Sequence, residues 1–159
     1  TLNEVSKMSK QIQFIGDGTV IDHIKAGEAL KVLEVLKLIK LIKRGNCKVM
    51  IGCNFESGHH DAKDFIKINN AFLEPKDLNR ISLLAPDATI SVIRNFKIVE
   101  KYKVNVEKEL NDILCCLNPS CITNFEKIPS KFYSRNHGPG VFECHYCEGT
   151  INEKELKFV

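Results

Sequence analysis

The sequence has no tryptophan, only two methionines and no long apolar run among its 159 residues. Its most apolar stretch, Ala29 to Ile42, carries a charged residue at every third position, whereas a membrane-spanning helix needs about 18 or more apolar residues in succession. The N-terminal segment also lacks the apolar core of a secretory signal. We therefore expect a cytoplasmic protein without a membrane partner.

The sequence has little excess charge of either sign. Hydrophobic residues make up 43% and charged residues 27%, which is typical of a soluble globular protein and excludes a disordered chain, a coiled coil or a collagen. The net charge of +3 is too small to indicate a nucleic-acid partner by itself. Residues 1–107 hold 17 basic and 13 acidic residues, and residues 108–159 hold 6 and 7. A small anionic ligand is therefore expected in the first part.

The cysteines divide the chain. Five of the seven lie between Cys115 and Cys147. Without a secretion signal, such clustering indicates metal ligands rather than disulfides. We place a domain boundary near residue 107, with residues 1–107 as the first domain, residues 102–107 as its linker and residues 108–159 as the second domain.

Hydrophobic periodicity gives the expected elements of the first domain. They are a strand at Lys10–Ile15, a helix at Gly27–Ile42, strands at Cys47–Phe55 and Asp64–Ile68, a helix at Pro75–Leu84 and one long strand at Ala88–Val99. This order predicts an α+β, ferredoxin-like βαββαβ domain, in which two helices cover one face of an antiparallel sheet.

The first helix has an unusual charge pattern. A charge at every third position drifts around a helix of 3.6 residues per turn and leaves a wide apolar surface. Either the helix ends near Leu38 or a second partner covers that surface. We expect the former, with residues 40–46 forming a solvated loop.

Two pairs of cysteines predict a metal site in the second domain. Cys116 and Cys121 are separated by four residues, and Cys144 and Cys147 by two, spacings typical of a structural four-thiolate zinc site with no open position for catalysis. Cys115 would need five intervening residues, so we expect it to pack in a strand. The domain is too small for a strong core, so zinc binding and folding should be coupled.

Four motifs carry a family resemblance. They are GTVIDHI (Gly18–Ile24), KDFIKI (Lys63–Ile68), APDAT (Ala85–Thr89) and CHYCE (Cys144–Glu148), the last preceded by the first cysteine pair. From about Lys10 to the end, the chain resembles the regulatory chain of aspartate carbamoyltransferase. Gly16 and Asp17 depart from the family pattern, because basic residues often stand there.

The resemblance implies a non-catalytic chain. Its first domain would bind CTP and UTP as inhibitors and ATP as an activator. Its zinc domain would bind the catalytic chain. Regulatory homodimers would link two catalytic trimers and control pyrimidine biosynthesis.

The resemblance also implies site residues. Asp22 would accept from ribose hydroxyls, His23 and Lys101 would contact phosphate, and Lys67 would contact the nucleoside. Ile15, Ile93, Phe96 and Ile98 would line the base and ribose, and Asn118 and Glu148 would face the catalytic chain.

Two other functions stay open on the residues alone. A nucleic-acid-binding zinc ribbon is disfavoured because residues 108–159 are slightly acidic and lack an interleaved basic and aromatic stripe. A stand-alone enzyme is disfavoured because the sequence contains no recognisable nucleophile triad, carboxylate pair or open metal site.

Overall fold

The computed structural model describes residues 15–45, 47–56, 61–134 and 140–159, which form two antiparallel sheets with three helices. The strands are β1 (Gly18–Lys25), β2 (Lys48–Glu56), β3 (Ala62–Asn69), β4 (Thr89–Arg94), β5 (Lys97–Lys103), β6 (Glu109–Asn111), β7 (Lys131–Tyr133), β8 (Val141–Cys144) and β9 (Thr150–Asn152). The helices are α1 (Ala29–Val35), α2 (Leu38–Lys43) and α3 (Pro75–Leu84), and a 3-10 turn covers Ile122–Asn124.

The first sheet has the strand order β2-β3-β1-β4-β5, and every neighbouring pair is antiparallel. Its first four strands have the order of the ferredoxin-like arrangement, so the predicted fold class is confirmed. The helices cover one face, where Ile21, Ile66 and Ile90 of the sheet form a core with Val32 and Ile81 of the helices. The other face, which we call the open face, carries the alternate residues of each strand.

The prediction of one long strand at Ala88–Val99 is wrong, because the chain reverses direction between β4 and β5. Asn95 and Phe96 have φ values of 49° and 63°, a pair of left-handed residues that suits a tight hairpin. The turn is held from outside: the Phe96 N–H donates to the Gly16 carbonyl at 2.8 Å, and the Asn95 N–H donates to Asp17 Oδ1 at 3.3 Å.

The expectation of a solvated loop at residues 40–46 is wrong for residues 40–43, which are helical, whereas Arg44 and Gly45 form an exposed turn and Asn46 lies outside the described residues. The first helix ends at Val35, Lys37 takes a left-handed conformation with φ of 55°, and α2 then continues to Lys43. A left-handed non-glycine residue costs roughly 1–2 kcal/mol. The break turns Leu38, which is 3% exposed, into the core, so the burial of its side chain offsets that cost.

The structure describes almost none of the predicted first strand, but it describes the whole of the predicted linker at the other end of the first domain. The predicted strand at Lys10–Ile15 lies outside the described residues except for Ile15, which is buried. The predicted linker begins as strand, since β5 continues to Lys103, and buried Val104 donates its N–H to the Ala88 carbonyl at 3.1 Å. The boundary near residue 107 stays a prediction.

A buried carboxylate joins three parts of the first domain. Asp64 of β3 is fully buried, and its Oδ2 accepts from the N–H groups of Gly27 at 2.9 Å and Ala29 at 3.1 Å, at the start of α1. Its Oδ1 accepts from the Asn54 N–H at 2.9 Å, where the register of β2 shifts. The aspartate of the KDFIKI motif is therefore part of the scaffold.

The second sheet has the order β6-β7-β8-β9 and its own core. Leu110, Ile113, Phe132, Phe142 and Ile151 fill that core together with three of the paired cysteines. Among the described residues, no helix is long and apolar enough to cross a membrane.

Candidate functional site

The open face of the first sheet carries the predicted ligand residues in ordered rows. The central row is Lys67, Val20, Ser91 and Lys101, each paired in register with its neighbour. Neighbouring strands lie about 4.8 Å apart, so the Cα atoms of the two lysines are roughly 14 Å apart. Two ammonium groups therefore flank an uncharged centre formed by Val20 and Ser91.

The row on one side of the centre is polar. Asp22, Thr89 and Lys103 are paired in register, and Asp22 is followed by a register shift in β1. The shift places His23 at φ of 60°, with its N–H donating to Asp22 Oδ1 at 2.8 Å. The imidazole Nδ1 is buried without a hydrogen-bond partner in the described part of the chain, and it lies 4.0 Å from Asp22 Oδ2.

A cleft of about 670 Å³ opens beside this polar row. Besides His23 and Thr89, its lining includes the side chains of Lys25, Lys63 and Lys103 and two carboxylates, Asp61 and Asp87. Excluding histidine, this lining has a net charge of +1. The cleft can therefore hold an anionic group, with lysine ammonium groups as point-charge donors.

The row on the other side of the centre is apolar over β1, β4 and β5, whereas Asn69 continues it on β3. Gly18, Ile93 and Ile98 are paired in register. Phe96, at the hairpin, is 71% exposed, and its ring lies close enough that a Cβ on Gly16 would come within 3.2 Å of it. The absence of a side chain at Gly16 thus provides the space for this ring.

Apart from Ile15, which precedes β1, the structure brings the predicted ligand residues together on one face, running from the apolar hairpin through the central row to the cationic cleft. Sequence reasoning did not select Lys63 and Lys103 as site residues, although both line the cleft. Alternation along β5 was the available signal, because Lys103 follows Lys101 by two residues and so shares its face. The misassigned strand at Ala88–Val99 hid that signal.

The paired cysteines of the second domain converge on one point. The sulfur atoms of Cys116, Cys121, Cys144 and Cys147 all lie within 4.8 Å of one another. The Cys116–Cys147 and Cys121–Cys144 Sγ–Sγ distances are 3.6 and 3.8 Å. A tetrahedral ion with metal–sulfur bonds of about 2.3 Å would give edges of about 3.8 Å. The four residues therefore fit a closed four-thiolate metal site.

Cys115 lies outside this cluster, as predicted, but it follows an isolated bridge at Leu114 and does not lie in a strand. Its N–H donates to the Lys157 carbonyl at 2.7 Å, next to the bridge between Leu114 and Phe158. This hydrogen bond therefore helps to hold the C-terminal segment against the second core.

Burial and hydrogen bonds affect the cysteine thiols in opposite directions. Desolvation raises the pKa of the Cys116 and Cys144 thiols. Desolvation also acts to raise the pKa of Cys121, but hydrogen bonds from Thr123, whose hydroxyl donates at 3.2 Å, and from neighbouring thiols outweigh it and lower that pKa to about 7. A bound cation would stabilise all four groups as thiolates.

The loops around the cysteines are tightly hydrogen-bonded. Asn118 Oδ1 accepts from the Ser120 N–H at 3.0 Å, and the Asn118 carbonyl accepts from the Cys121 N–H at 3.0 Å. Glu148 is exposed, has φ of 58° and donates its N–H to the Cys144 carbonyl at 2.9 Å. Both predicted contact residues thus lie on the surface of rigid turns, and the Asn118 side-chain oxygen is engaged within its own turn.

Helix α3 connects the two cores. Ile81 lies in the first core, and Leu83, two residues later, lies in the second. Lys76 of the same helix pairs with Asp112 at 2.8 Å. A movement of α3 would therefore change the packing of both hydrophobic cores.

Comparison with known proteins gives matches for both halves. Residues 10–105 match the family model described as "Aspartate carbamoyltransferase regulatory chain, allosteric domain". Residues 108–157 match the model described as "Aspartate carbamoyltransferase regulatory chain, metal binding domain".

Curated relatives are similar over nearly their whole length. The aspartate carbamoyltransferase regulatory chains of Pyrococcus horikoshii and Pyrococcus abyssi are each 45% identical over 146 residues, covering 92% of this chain and 95% of the relative. That of Methanocaldococcus jannaschii is 43% identical over 143 residues, covering 90% of this chain and 93% of the relative.

Proposed function

Because the chain belongs to the family of aspartate carbamoyltransferase regulatory chains, we propose that it is a non-catalytic regulatory subunit of that enzyme. CTP and UTP act as inhibitors and ATP as an activator, all at one site on the open face of the first sheet. The second domain binds zinc and the catalytic chain.

The polarity gradient of the open face is the observation that supports a nucleoside triphosphate. A base fits the apolar hairpin end at Ile93 and Ile98, and a ribose fits the centre between Lys67 and Asp22. The triphosphate fits between Lys101, at the β5 end of the central row, and the cationic cleft beside the polar row. Such a ligand has its apolar ring and its negative charge at opposite ends, in the same order as the face.

Zinc is the metal that the donor set favours. Four thiolates in a tetrahedron are typical of structural zinc, and the closed site leaves no position for a reacting water. When bound, the ion supplies cross-linking of the two cysteine pairs, and the four cysteines hold β8 and the Cys116–Cys121 loop together. It has no part in a catalytic step.

The exposed surface of the metal-binding loops supports a protein partner. Asn118 and Glu148 lie there, and Leu117 and Phe125 are 43% and 74% exposed. We propose this surface as the contact with the catalytic chain. Leu30, Ile39 and Ile42 are exposed in the first domain, which supports a regulatory homodimer that links catalytic trimers. Reduced thiols at the metal site suit the cytoplasm.

Calorimetric titration with cytidine and CTP tests the ligand site. A lysine–phosphate contact contributes about 1.5–3 kcal/mol, so Lys101→Ala should weaken CTP binding roughly ten- to a hundredfold and leave cytidine nearly unchanged. Lys67→Ala should weaken both ligands, because its proposed contact is with the nucleoside. Lys97→Ala, at the other end of β5, is the matched control and should bind both as wild type does. CTP binding by Lys101→Ala at wild-type affinity would contradict the site.

Assembly tests the regulatory role. The chain should co-purify with the catalytic chain, and CTP and ATP should change the activity of the complex in opposite directions. Coupling requires each nucleotide to bind the two states of the complex with different affinity. A failure to assemble, together with a salt-sensitive gel shift on nucleic acid, would favour the zinc-ribbon alternative instead.

A further inference from the structure

We propose that Phe65 is a positioning residue of the nucleoside site, because its ring holds the ammonium group of Lys67 over the open face. Gly52 provides the space in which that ring lies. This inference rests on the proposed function, since it gives Lys67 its role at the nucleoside.

Phe65 and Lys67 lie two residues apart on β3 and therefore share the open face. Lys67 Nζ lies 5.3 Å from the centroid of the Phe65 ring, within the range of a cation–π interaction. No carboxylate pairs with Lys67 in the described part of the chain. The ring is thus the group that sets the direction of this flexible side chain.

The position of the ring is fixed by the neighbouring strand. Gly52 of β2 pairs in register with Phe65, and a Cβ on Gly52 would lie only 2.2 Å from Phe65 Cε1 and 2.3 Å from its Cζ. Gly52 does not have a left-handed φ, so its backbone does not require glycine. Glycine is needed at this position because a side chain would overlap the ring of Phe65.

A second aromatic ring packs against Phe65 but does not contact Lys67 through a cation–π interaction. The centroid of Phe55 lies 5.2 Å from that of Phe65, with an interplanar angle of 61°. Phe55 is 58% exposed. The cation–π contact of Lys67 is with the Phe65 ring and not with Phe55, so Phe55 provides a matched control.

The consequence for binding is a smaller ordering cost. Lysine loses much rotamer freedom when it is fixed by a ligand. If the ring already holds the ammonium group over the face, less freedom remains to be lost on binding. A cation–π contact at a partly exposed site is worth about two- to fivefold in an equilibrium constant.

A double-mutant cycle on cytidine binding, followed by NMR titration, tests the proposal. Phe65→Leu should weaken cytidine binding about two- to fivefold in the wild-type background. In the Lys67→Gln background it should have no further effect, because the group it positions is gone. Gly52→Ala should reproduce the loss and add nothing to Phe65→Leu. Phe55→Leu should change affinity by less than about twofold.

Equal losses from Phe65→Leu in both backgrounds would overturn the proposal, because the ring would then act through packing alone. A ligand-independent readout separates this outcome from failure of the proposed function. The Hε protons of Lys67 should show an upfield ring-current shift in wild type that disappears in Phe65→Leu. Unchanged Hε shifts would also overturn the positioning role, whereas a wild type that binds neither cytidine nor CTP would refute the nucleotide site.

Discussion

Replacement of the buried Asp64 by alanine should weaken the first domain more than almost any other polar substitution. The carboxylate accepts three backbone hydrogen bonds, from Gly27, Ala29 and Asn54. A hydrogen bond to a charged group contributes about 1.5–3 kcal/mol, and a buried donor left without a partner costs about 1–3 kcal/mol.

The location of the three donors sets the magnitude. The bond to Ala29 is buried, whereas the bonds to Gly27 and Asn54 are only partly buried, so water can replace the carboxylate at these two. We expect a loss of about 3–5 kcal/mol in the free energy of unfolding. Asp64→Asn should lose less, because its single side-chain oxygen can still accept from both helix amides.

Urea unfolding monitored by circular dichroism measures this loss. Since natural domains have only about 5–15 kcal/mol of stability, the alanine variant should fold but unfold at a much lower urea concentration. Asp87→Asn, an exposed aspartate near the same end of the sheet, should stay within about 0.5 kcal/mol of wild type. A loss below about 1 kcal/mol for Asp64→Ala would refute the account of the carboxylate as a structural clamp.

Three further outcomes are expected. Leu83 lies in the last helix of the first domain, but Leu83→Ala should destabilise the second core by about 2–4 kcal/mol. An unchanged urea midpoint for the second core would contradict the shared packing. Gly18→Ala should lower the thermal midpoint strongly, because its Cβ would lie 2.0 Å from the Ile68 carbonyl oxygen at a φ of 145°; wild-type stability would show that this strand is misregistered. Cys144→Ser should lose its zinc and its assembly with the catalytic chain, whereas Cys115→Ser should keep both, as metal analysis and co-purification would report. Full zinc in Cys144→Ser would disprove the ligand set.

Elements with strong local signals were predictable from the sequence. Helix α3 has the predicted bounds, Pro75 to Leu84, because proline suits the first helical turn and Ala85-Pro86 ends it. A capping box between Glu74 and Asp77 reinforces the start. The cysteine clustering was equally local, since pairs at short spacing need only one turn to bring their sulfur atoms together.

The features that the sequence did not reveal depend on distant contacts. Nothing near Asn95 and Phe96 indicates a hairpin as strongly as Asn-Gly would, and the turn is held by Gly16 and Asp17. The break at Lys37 is likewise set by which leucines reach the core. Neither the contacts that hold the hairpin nor the burial of Leu38 beyond the break can be predicted from the residues that form the hairpin and the break.

The position of Lys101 on β5 has a consequence for motion. Every residue of β5 is exposed, and within the described sheet this edge strand pairs with β4 alone, so it belongs to the part of the domain that opens most easily. A ligand that extends from Lys67 to Lys101 would span β3, β1, β4 and β5. It would thereby connect the edge strand β5 to the inner strands of the sheet. Binding of this ligand would slow amide hydrogen exchange along β5 far more than in the helices. Ligand binding would therefore reduce the local opening of the edge strand.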